Sequence, residues 1–538
     1  MTPSAKKRLL IVFPFIVQQA LAIPLAAAQC PAAAHLNDDA IGTSRTALVF
    51  NDPDSLKDAF SFPAVVKAIL KSSGMEDSDA NADAFVTTMI NTFGVTGKSN
   101  DGVEMPIDQR PEELKLVAGE LLRGNDAQRM HPVGVFNRLD LAPQHWSNCG
   151  EYRVVFARRQ EDTSPPKQFL LIFEAKLPAE NAGEALTLSA RQARCTEVAT
   201  FWAQLGKLED KTSIVSKLQT LYFAGLQLAD GKTLAPVISA ANLGVEQGQV
   251  RGNIFLAPPW QLREWRVEEN GGILNFAMDT VKSNPLAEFY ADAPAAGTNP
   301  DERSKRWRGF NDDFIGTHVR ELLTPELEGK AANAIDLTAN LGLNSAGPVN
   351  EFQSTSTTSD EPSAIAPADS NLRQSIATKL GQLAPKAALT GEHLLARAGA
   401  MTCGGCHRFS AGDMVSAEVP WPSDLAFKHI DDRGNLSPAL QSHFLRARMG
   451  MLKKAVCGIF GAEPEAKIVK APALASADAE DADIVAMRAL RAKIGASKVE
   501  KAVRSSAVVD ADIADFGKML RRIEQAKPGA FRTVRPVH

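Results

Sequence analysis

The fold of the N-terminal region is decided by two apolar runs, Tyr152-Arg153-Val154-Val155-Phe156-Ala157 and Gln168-Phe169-Leu170-Leu171-Ile172-Phe173-Glu174. Both runs are rich in β-branched and aromatic residues, which favour strands. Between them lies Thr163-Ser164-Pro165-Pro166, and serine and proline favour chain reversal. The two runs are therefore predicted to form neighbouring antiparallel strands.

Residue periodicity predicts further elements on both sides of this pair. Short apolar runs indicate strands at Thr46–Phe50, Asn253–Leu256 and Arg263–Val267. Apolar positions three and four residues apart predict helices at Asp54–Lys71, Pro111–Leu122, Leu188–Leu205 and Ser213–Phe223. Trp260 and Trp265 lie in an alternating segment, which predicts that both are core residues. The mixture predicts an α+β domain over residues 34–343, of no family that its residues identify.

A composition shift separates this domain from a second region. The run Ser354–Ser359 consists of serine and threonine, and Pro362 and Pro367 follow it. Such segments are typical of flexible linkers. We therefore expect a linker at residues 344–372 and a second region at residues 373–538.

The second region contains Cys403-Gly404-Gly405-Cys406-His407, and Thr390–Met401 before it is predicted to be a capped helix. Cys-x-x-Cys-His is the attachment signature of a c-type haem. Two thiols three positions apart can bond to the two vinyl groups, and the next residue presents an imidazole to the iron. Cys403 and Cys406 are therefore predicted to anchor one covalent haem c, with His407 as the proximal iron ligand.

At these three residues the chain resembles the c-type cytochromes, over residues 373–538 at most. The resemblance implies a mainly α domain around one haem, here with a helical C-terminal extension, and usually a methionine as the sixth ligand. Met449 and Met451 are the candidates at a suitable distance, whereas Met414 lies close to the anchor. His429, surrounded by apolar residues, competes with them, and an open sixth position is the remaining alternative. Trp421 and Phe427 are candidate walls of the pocket, and the Trp421 indole N–H is a candidate donor to a propionate.

The N-terminus has the pattern of a secretory signal. Lys6, Lys7 and Arg8 precede an apolar run from Leu9 to about Ala22, and three alanines end at Ala28. This pattern predicts a bacterial Sec-type signal peptide at residues 1–28 and a periplasmic or secreted protein. No segment is apolar enough to predict a transmembrane helix in the mature protein. Gln29 before Cys30 argues against a lipoprotein.

Four cysteines remain outside the motif: Cys30, Cys149, Cys195 and Cys457. An even number in an oxidising compartment predicts two disulfides. Cys149 and Cys195 fall within one region and are the favoured pair, which leaves Cys30 and Cys457. The sequence alone does not fix this connectivity.

Other functional classes have little support. A formal net charge of −4 and a pI near 6.2 argue against nucleic-acid binding. Zinc-helix and nucleophile-elbow motifs are missing, and Thr92–Ser99 lacks the first glycine of a P-loop and is predicted to be a turn. Polar and aromatic residues do crowd one stretch, and they form either a binding cleft or buried ion pairs. They are His131, Asn137, Arg138, Asp140, His145, Trp146 and Glu151–Arg153.

The leading interpretation is a haem protein that carries single electrons and exchanges them with a redox partner protein or a small-molecule donor or acceptor. A peroxidase-like oxidoreductase with a substrate site in the N-terminal domain is the first alternative, although di-haem peroxidases contain two such motifs. The others are an envelope binding protein with a structural Cys403–Cys406 disulfide, and thiol–disulfide exchange by the same pair. Electron transfer is favoured over conversion of a substrate.

Overall fold

The computed structural model describes residues 30–37, 41–95, 109–143, 145–159, 167–244, 248–257, 260–279, 308–312, 314–327, 370–384, 386–401, 404–425 and 427–460. The predicted signal peptide, residues 344–369 of the predicted linker, Cys403 and the chain after Phe460 lie outside the described residues. The chain divides into two compact units, Met1–Gly461 and Ala462–His538. All described residues belong to the first unit.

An antiparallel sheet of seven strands is the centre of this unit. The strands are β1 (Val49–Phe50), β2 (Met130–Arg138), β3 (Asn148–Arg158), β4 (Gln168–Pro178), β5 (Leu226–Gln227), β6 (Thr233–Leu234), β7 (Gln249–Phe255), β8 (Gln261–Asn270), β9 (Ile273–Asp279), β10 (Met414–Ser416) and β11 (Val419–Pro420). The sheet order is β1-β2-β3-β4-β7-β8-β9, and β5–β6 and β10–β11 form separate two-stranded sheets. The predicted pairing of β3 with β4 is confirmed.

Helices surround the sheet. They are α1 (Ile41–Ser44), α2 (Pro53–Leu56), α3 (Phe62–Ser72), α4 (Asp79–Asn91), α5 (Ala118–Arg123), α6 (Leu188–Leu205), α7 (Lys211–Gln219), α8 (Val319–Leu322), α9 (Thr324–Leu327), α10 (Asn371–Leu383), α11 (Gly391–Met401) and α12 (Leu445–Val456). The predicted helix at Leu188–Leu205 is confirmed as α6.

Several predicted boundaries were wrong, and helix capping explains the first of these errors. The predicted helix Asp54–Lys71 is two helices, because the Ser61 hydroxyl accepts the N–H of Ala64 and starts a new helix. Pro111–Leu122 is a 3-10 turn at Glu113–Lys115 followed by α5. Other corrections concern the ends: Thr46–Phe50 is extended only at β1, and the helix predicted at Ser213–Phe223 is α7, which ends in a π turn at Thr220–Ala224.

One face of the sheet is apolar and packs against helices. On β3, Tyr152 and Phe156 point to this face, and both are fully buried. Phe62 of α3 meets the Phe156 ring edge-on with centroids 5.2 Å apart, and Trp202 of α6 stacks on Tyr152 at 6.0 Å. The alternation along β3 thus directs its aromatic residues into the helix-covered core.

The opposite face carries a line of alternating charges, here called the charged row. Strand register places these residues side by side across the sheet, since directly opposed residues share a face. The charged row consists of Glu151, Arg153, Glu174, Arg251, Glu264, Arg266 and Asp279. Each neighbouring pair is joined by an ion pair, with N–O distances from 2.8 to 3.4 Å.

Both disulfides have the favoured connectivity. Cys149 on β3 is bonded to Cys195 on α6, and Cys30 is bonded to Cys457 after α12. Their Cα–Cα distances are 5.1 and 5.7 Å respectively, which suit a disulfide. The first bond fastens a helix to the sheet, and the second joins residues 427 positions apart.

The Cys149→Ala/Cys195→Ala variant should be less stable than the wild type by about 4 kcal/mol. The bond closes a loop of 46 residues, and losing that constraint raises the chain entropy of the unfolded state. The denaturant midpoint at unchanged pH measures the loss. A control variant that lacks only the Cys30–Cys457 bond still has the Cys149–Cys195 bond. Breaking that bond with added reductant should lower the midpoint by the same amount. An unchanged midpoint in both experiments would contradict the prediction.

Candidate functional site

The helix that leads into the Cys-x-x-Cys-His motif, α11, is anchored by a buried arginine. Arg397 is fully buried, and its guanidinium donates to Val415 O (2.7 Å) and Leu322 O (2.6 Å) and pairs with Glu326 (2.7 Å). These bonds join α11 to β10, α8 and α9. The start of the motif is therefore held by several elements.

The second half of the motif forms a single π turn at Gly405–Phe409. Gly405 lies against the end of α11, and a Cβ at this position would come within 1.9 Å of Gly399 O. Only glycine permits this approach of the backbone. The turn presents Cys406 and His407 to the same space, and Cys406 is not disulfide-bonded.

His407 is oriented by a backbone carbonyl. Its Nδ1 lies 2.8 Å from Phe427 O, and a carbonyl can only accept, so Nδ1 carries the proton. Burial lowers the pKa of His407 below its ordinary value, which favours the neutral ring. In this tautomer Nε2 keeps a free lone pair, which is the form of histidine that binds metals.

The carbonyl of Phe427 is aimed by an unusual backbone conformation. Phe427 has φ +68°, in the left-handed region that residues with a side chain rarely adopt. Its N–H donates to Asp424 Oδ1 at 2.8 Å, which closes the turn. Strain of this kind persists where the surrounding contacts hold it, and it occurs often at functional sites.

His429 lies beside both motif residues. Its ring centroid is 4.8 Å from that of His407, and its Nε2 is 3.4 Å from Cys406 Sγ. On the other side of the ring, Nδ1 is hydrogen-bonded to Ser437 Oγ at 2.9 Å, and Phe444 packs edge-on at 5.5 Å. Burial, with the neighbouring His407 and Arg448, lowers the pKa of His429 well below its ordinary value. A second neutral imidazole thus adjoins the first.

The three candidate methionines lie in different surroundings. Met449 is fully buried in the core on α12, a helix that packs against α6. Met451 is partly buried and lies three positions after Arg448 on the same helix. Met414, on β10, is 42% exposed. The sixth ligand stays a prediction, and His429 is the candidate whose ring adjoins His407.

Asn253 of the sheet and Trp260, just before β8, contact His407 or the Phe427 segment that orients it. Asn253, on the polar face of β7, donates through Nδ2 to Phe427 O at 2.7 Å. Trp260 donates its indole N–H to Asn253 Oδ1 at 2.7 Å, and its ring lies 5.5 Å from His407 and stacks on Phe427 at 5.0 Å. Trp260 is therefore buried, as predicted, but its ring packs against His407 and Phe427.

Four arginines surround the same space. Arg138 forms a two-bond pair with Asp140 (2.9 and 2.8 Å), and Arg448 of α12 lies 3.7 Å from the same carboxylate. The charges of Arg138 and Arg448 act on Cys406, and those of Arg153 and Arg251 act on His407. Burial and repulsion from Arg138 lower the pKa of Arg448 to about 9. Each of these guanidinium groups also faces a carboxylate of the chain, so the arginines form ion pairs around this space.

Trp421 adds an unpaired donor to the surroundings. The side chain is 2% exposed, and its indole Nε1 is buried without a hydrogen-bond partner. Its ring contacts Phe444 at 5.8 Å, the same ring that packs on His429. Buried N–H groups are normally paired, so this donor indicates room for an acceptor.

The crowded polar stretch of the N-terminal region divides in two. Arg138, Asp140, Glu151 and Arg153 lie on the charged face or beside it. The remaining members serve structural contacts or lie at the surface. His131 bonds to Asp126 O, Asn137 donates to Ala47 O, Tyr152 donates to Cys149 O, Trp146 packs on Phe460, and His145 is exposed.

Sequence reasoning missed Asn253, Ser437, Arg251 and Arg448. A signal existed for β7, where Gln249, Arg251 and Asn253 alternate with apolar residues or glycine. Such alternation predicts one polar face but does not say that another segment covers it. Ser437 and Arg448 gave no local signal, because their role depends on contacts across the fold.

Comparison with known protein families, with curated proteins and with solved structures finds no match to this chain. Among the described helices, none combines the length and apolar character needed to cross a membrane. Within the same described part of the chain, no three His, Cys, Asp or Glu side chains cluster as a protein-only metal site.

Proposed function

We propose that this protein is a haem c protein that carries single electrons, with the haem attached to Cys403 and Cys406 and ligated by His407. One observation carries the proposal. His407 is held in the tautomer that frees Nε2, next to Cys406 and with a second neutral imidazole 4.8 Å away between ring centroids. A histidine after two cysteines with this spacing, oriented by a carbonyl, meets the requirements of a proximal haem ligand.

The donor set fits a haem iron. Two neutral imidazoles, from His407 and His429, would supply the axial ligands, and each has its Nδ1 fixed by an oxygen. Ligand histidines in metal sites almost always have such an outer partner. Aromatic rings of Trp260, Phe427 and Phe444 would cover the apolar part of the macrocycle.

The charges also fit. A haem carries two propionates, and around His407 and Cys406 lie four arginines, each also paired with a carboxylate of the chain, together with the unpaired indole N–H of Trp421. Side chains of Arg153 and Arg251 remain 18% and 22% exposed, whereas Glu174 and Glu264 behind them are 1% and 0% exposed. The carboxylates thus lie deeper than the guanidinium groups that would meet the propionates.

The chemistry of the bound haem would be a one-electron iron couple. The residues of this chain would set its surroundings: the Phe427 carbonyl holds the His407 tautomer, the sheet limits access of water from one side, and the arginines compensate negative charge. If both His407 and His429 bound the iron, they would leave no open position for a substrate, which would suit electron transfer.

The proposal includes a location outside the cytoplasm and an exchange of electrons with a redox partner protein or a small molecule. Two disulfides support an oxidising compartment. For the alternative of thiol–disulfide exchange, burial raises the pKa of the Cys406 thiol to about 12, which opposes attack by this cysteine. Thiols that exchange rapidly have low pKa values, since the thiolate is the nucleophile.

A pyridine haemochrome spectrum tests the proposal. The protein, secreted from a host with working cytochrome maturation, should give a c-type band equal to one haem per chain, and the band should survive acid-acetone extraction. The Cys403→Ser/Cys406→Ser variant should lose the covalent band completely, because no thioether can form.

The Cys149→Ala/Cys195→Ala variant is the matched control, since it loses two cysteines of the same chain but should keep the covalent haem. A colourless wild-type protein from that host would overturn the proposal. So would a double Ser variant with an unchanged band after extraction.

A further inference from the structure

We propose that Asn253, a residue of the sheet, is a positioning residue that raises the redox potential of the haem by sharing the Phe427 carbonyl with His407. This inference rests on the proposed function. It assigns control of the haem to a strand more than a hundred residues before the attachment motif.

The orientation of the Asn253 amide is fixed by its two partners. The indole N–H of Trp260 can only donate, so the atom facing it at 2.7 Å is Asn253 Oδ1. The Phe427 carbonyl can only accept, so the atom facing it at 2.7 Å is Nδ2. Asn253 is 2% exposed, and water therefore does not compete for these bonds.

The Phe427 oxygen thus receives two donors, Asn253 Nδ2 and His407 Nδ1. A carbonyl oxygen has two lone pairs, so these donors occupy its accepting capacity. Each donor withdraws electron density that the other would otherwise use. Asn253 therefore weakens the bond from His407 and makes the imidazole a less basic ligand.

A less basic imidazole stabilises the oxidised iron less than a more basic imidazole would, while the reduced iron depends less on ligand basicity. The potential is therefore higher with Asn253 in place than without it. The same bond ties the strained Phe427 turn to β7.

The test is the potential of the secreted haem protein with Asn253→Leu, a substitution of similar shape that removes both amide groups. At a fixed ambient potential, the ratio of reduced to oxidised haem should fall by a factor of about 2 to 10, the effect expected of one hydrogen bond. Trp260→Phe should lower the ratio less, because the ring stays and only the donor that orients Asn253 is lost.

Asn242→Leu is the matched control. Asn242 is also a buried asparagine, and its Nδ2 donates to two backbone carbonyls, those of Pro236 and Val237, which do not belong to the motif. The Asn242→Leu substitution should lower the stability of the protein but leave the ratio of reduced to oxidised haem unchanged. An unchanged or increased ratio in Asn253→Leu, with haem still attached, would overturn this inference alone. Absence of haem from the wild type would overturn the proposed function instead.

Discussion

In the proposed haem protein, the His429→Ala variant should lose the low-spin ferric spectrum that ligation by His407 and His429 would give. Its imidazole adjoins His407 and Cys406, and Ser437 fixes its other nitrogen. Without this imidazole the iron keeps His407 and gains an open or water-filled position. The variant should therefore show a high-spin ferric spectrum and bind cyanide or carbon monoxide readily, as recorded by optical and paramagnetic resonance spectra.

Two methionine variants serve as controls for this prediction. Met449→Leu and Met451→Leu keep an apolar side chain of similar volume but remove the sulfur, so both should stay low-spin. A high-spin Met451→Leu protein with a low-spin His429→Ala protein would assign the sixth position to methionine. A wild-type protein that is already high-spin would show an open position and favour peroxidase-like chemistry.

The second large effect concerns the charged row. Arg266→Met should lower the free energy of unfolding by about 3–5 kcal/mol at pH 7, because it removes the buried cation that contacts both Glu264 and Asp279. Arg266 pairs with Glu264 at 2.9 Å and with Asp279 at 3.1 Å, and all three side chains are at most 3% exposed. Denaturant unfolding of the wild type and the variant measures the difference.

The pH dependence of the same variant gives a second measurement. Burial already raises the pKa of Glu264, and the loss of a cation raises it further. The folded state then binds more protons than the unfolded state, so stability falls as the pH rises. The defect should therefore shrink when the pH is lowered from 7 towards 5. A constant defect over this range would contradict the electrostatic explanation.

Arg159→Met is the control for the charge change, because Arg159 pairs with Asp126 at the surface, with side chains 41% and 57% exposed. An exposed pair contributes about 0–1 kcal/mol, so this variant should unfold almost like the wild type. Adding Glu264→Gln and Asp279→Asn to Arg266→Met should recover most of the lost stability. An equally stable Arg266→Met single variant would show that the charged row does not depend on this cation.

Local patterns gave much of the secondary structure. The pairing of β3 with β4 and the bounds of α6 follow from apolar periodicity and turn residues, which act over a few positions. Strands β2 and β9 and helix α4 were missed. Met130–Arg138 contains Pro132 and Gly134, which argue against a strand, yet both its neighbours in the sheet hold it extended.

The sequence by itself determined the Cys-x-x-Cys-His motif and favoured the two disulfide pairs, because covalent chemistry depends on residue type and compartment. It did not reveal that the polar face of the sheet covers the motif. The sequence pattern places Glu264 and Arg266 on a polar strand face of the kind that is usually exposed. In the structure both are buried beside their ion-pair partners. Only the tertiary structure brought Asn253, His429 and the arginines around His407, because those contacts join positions up to about 300 residues apart, beyond the reach of any local pattern.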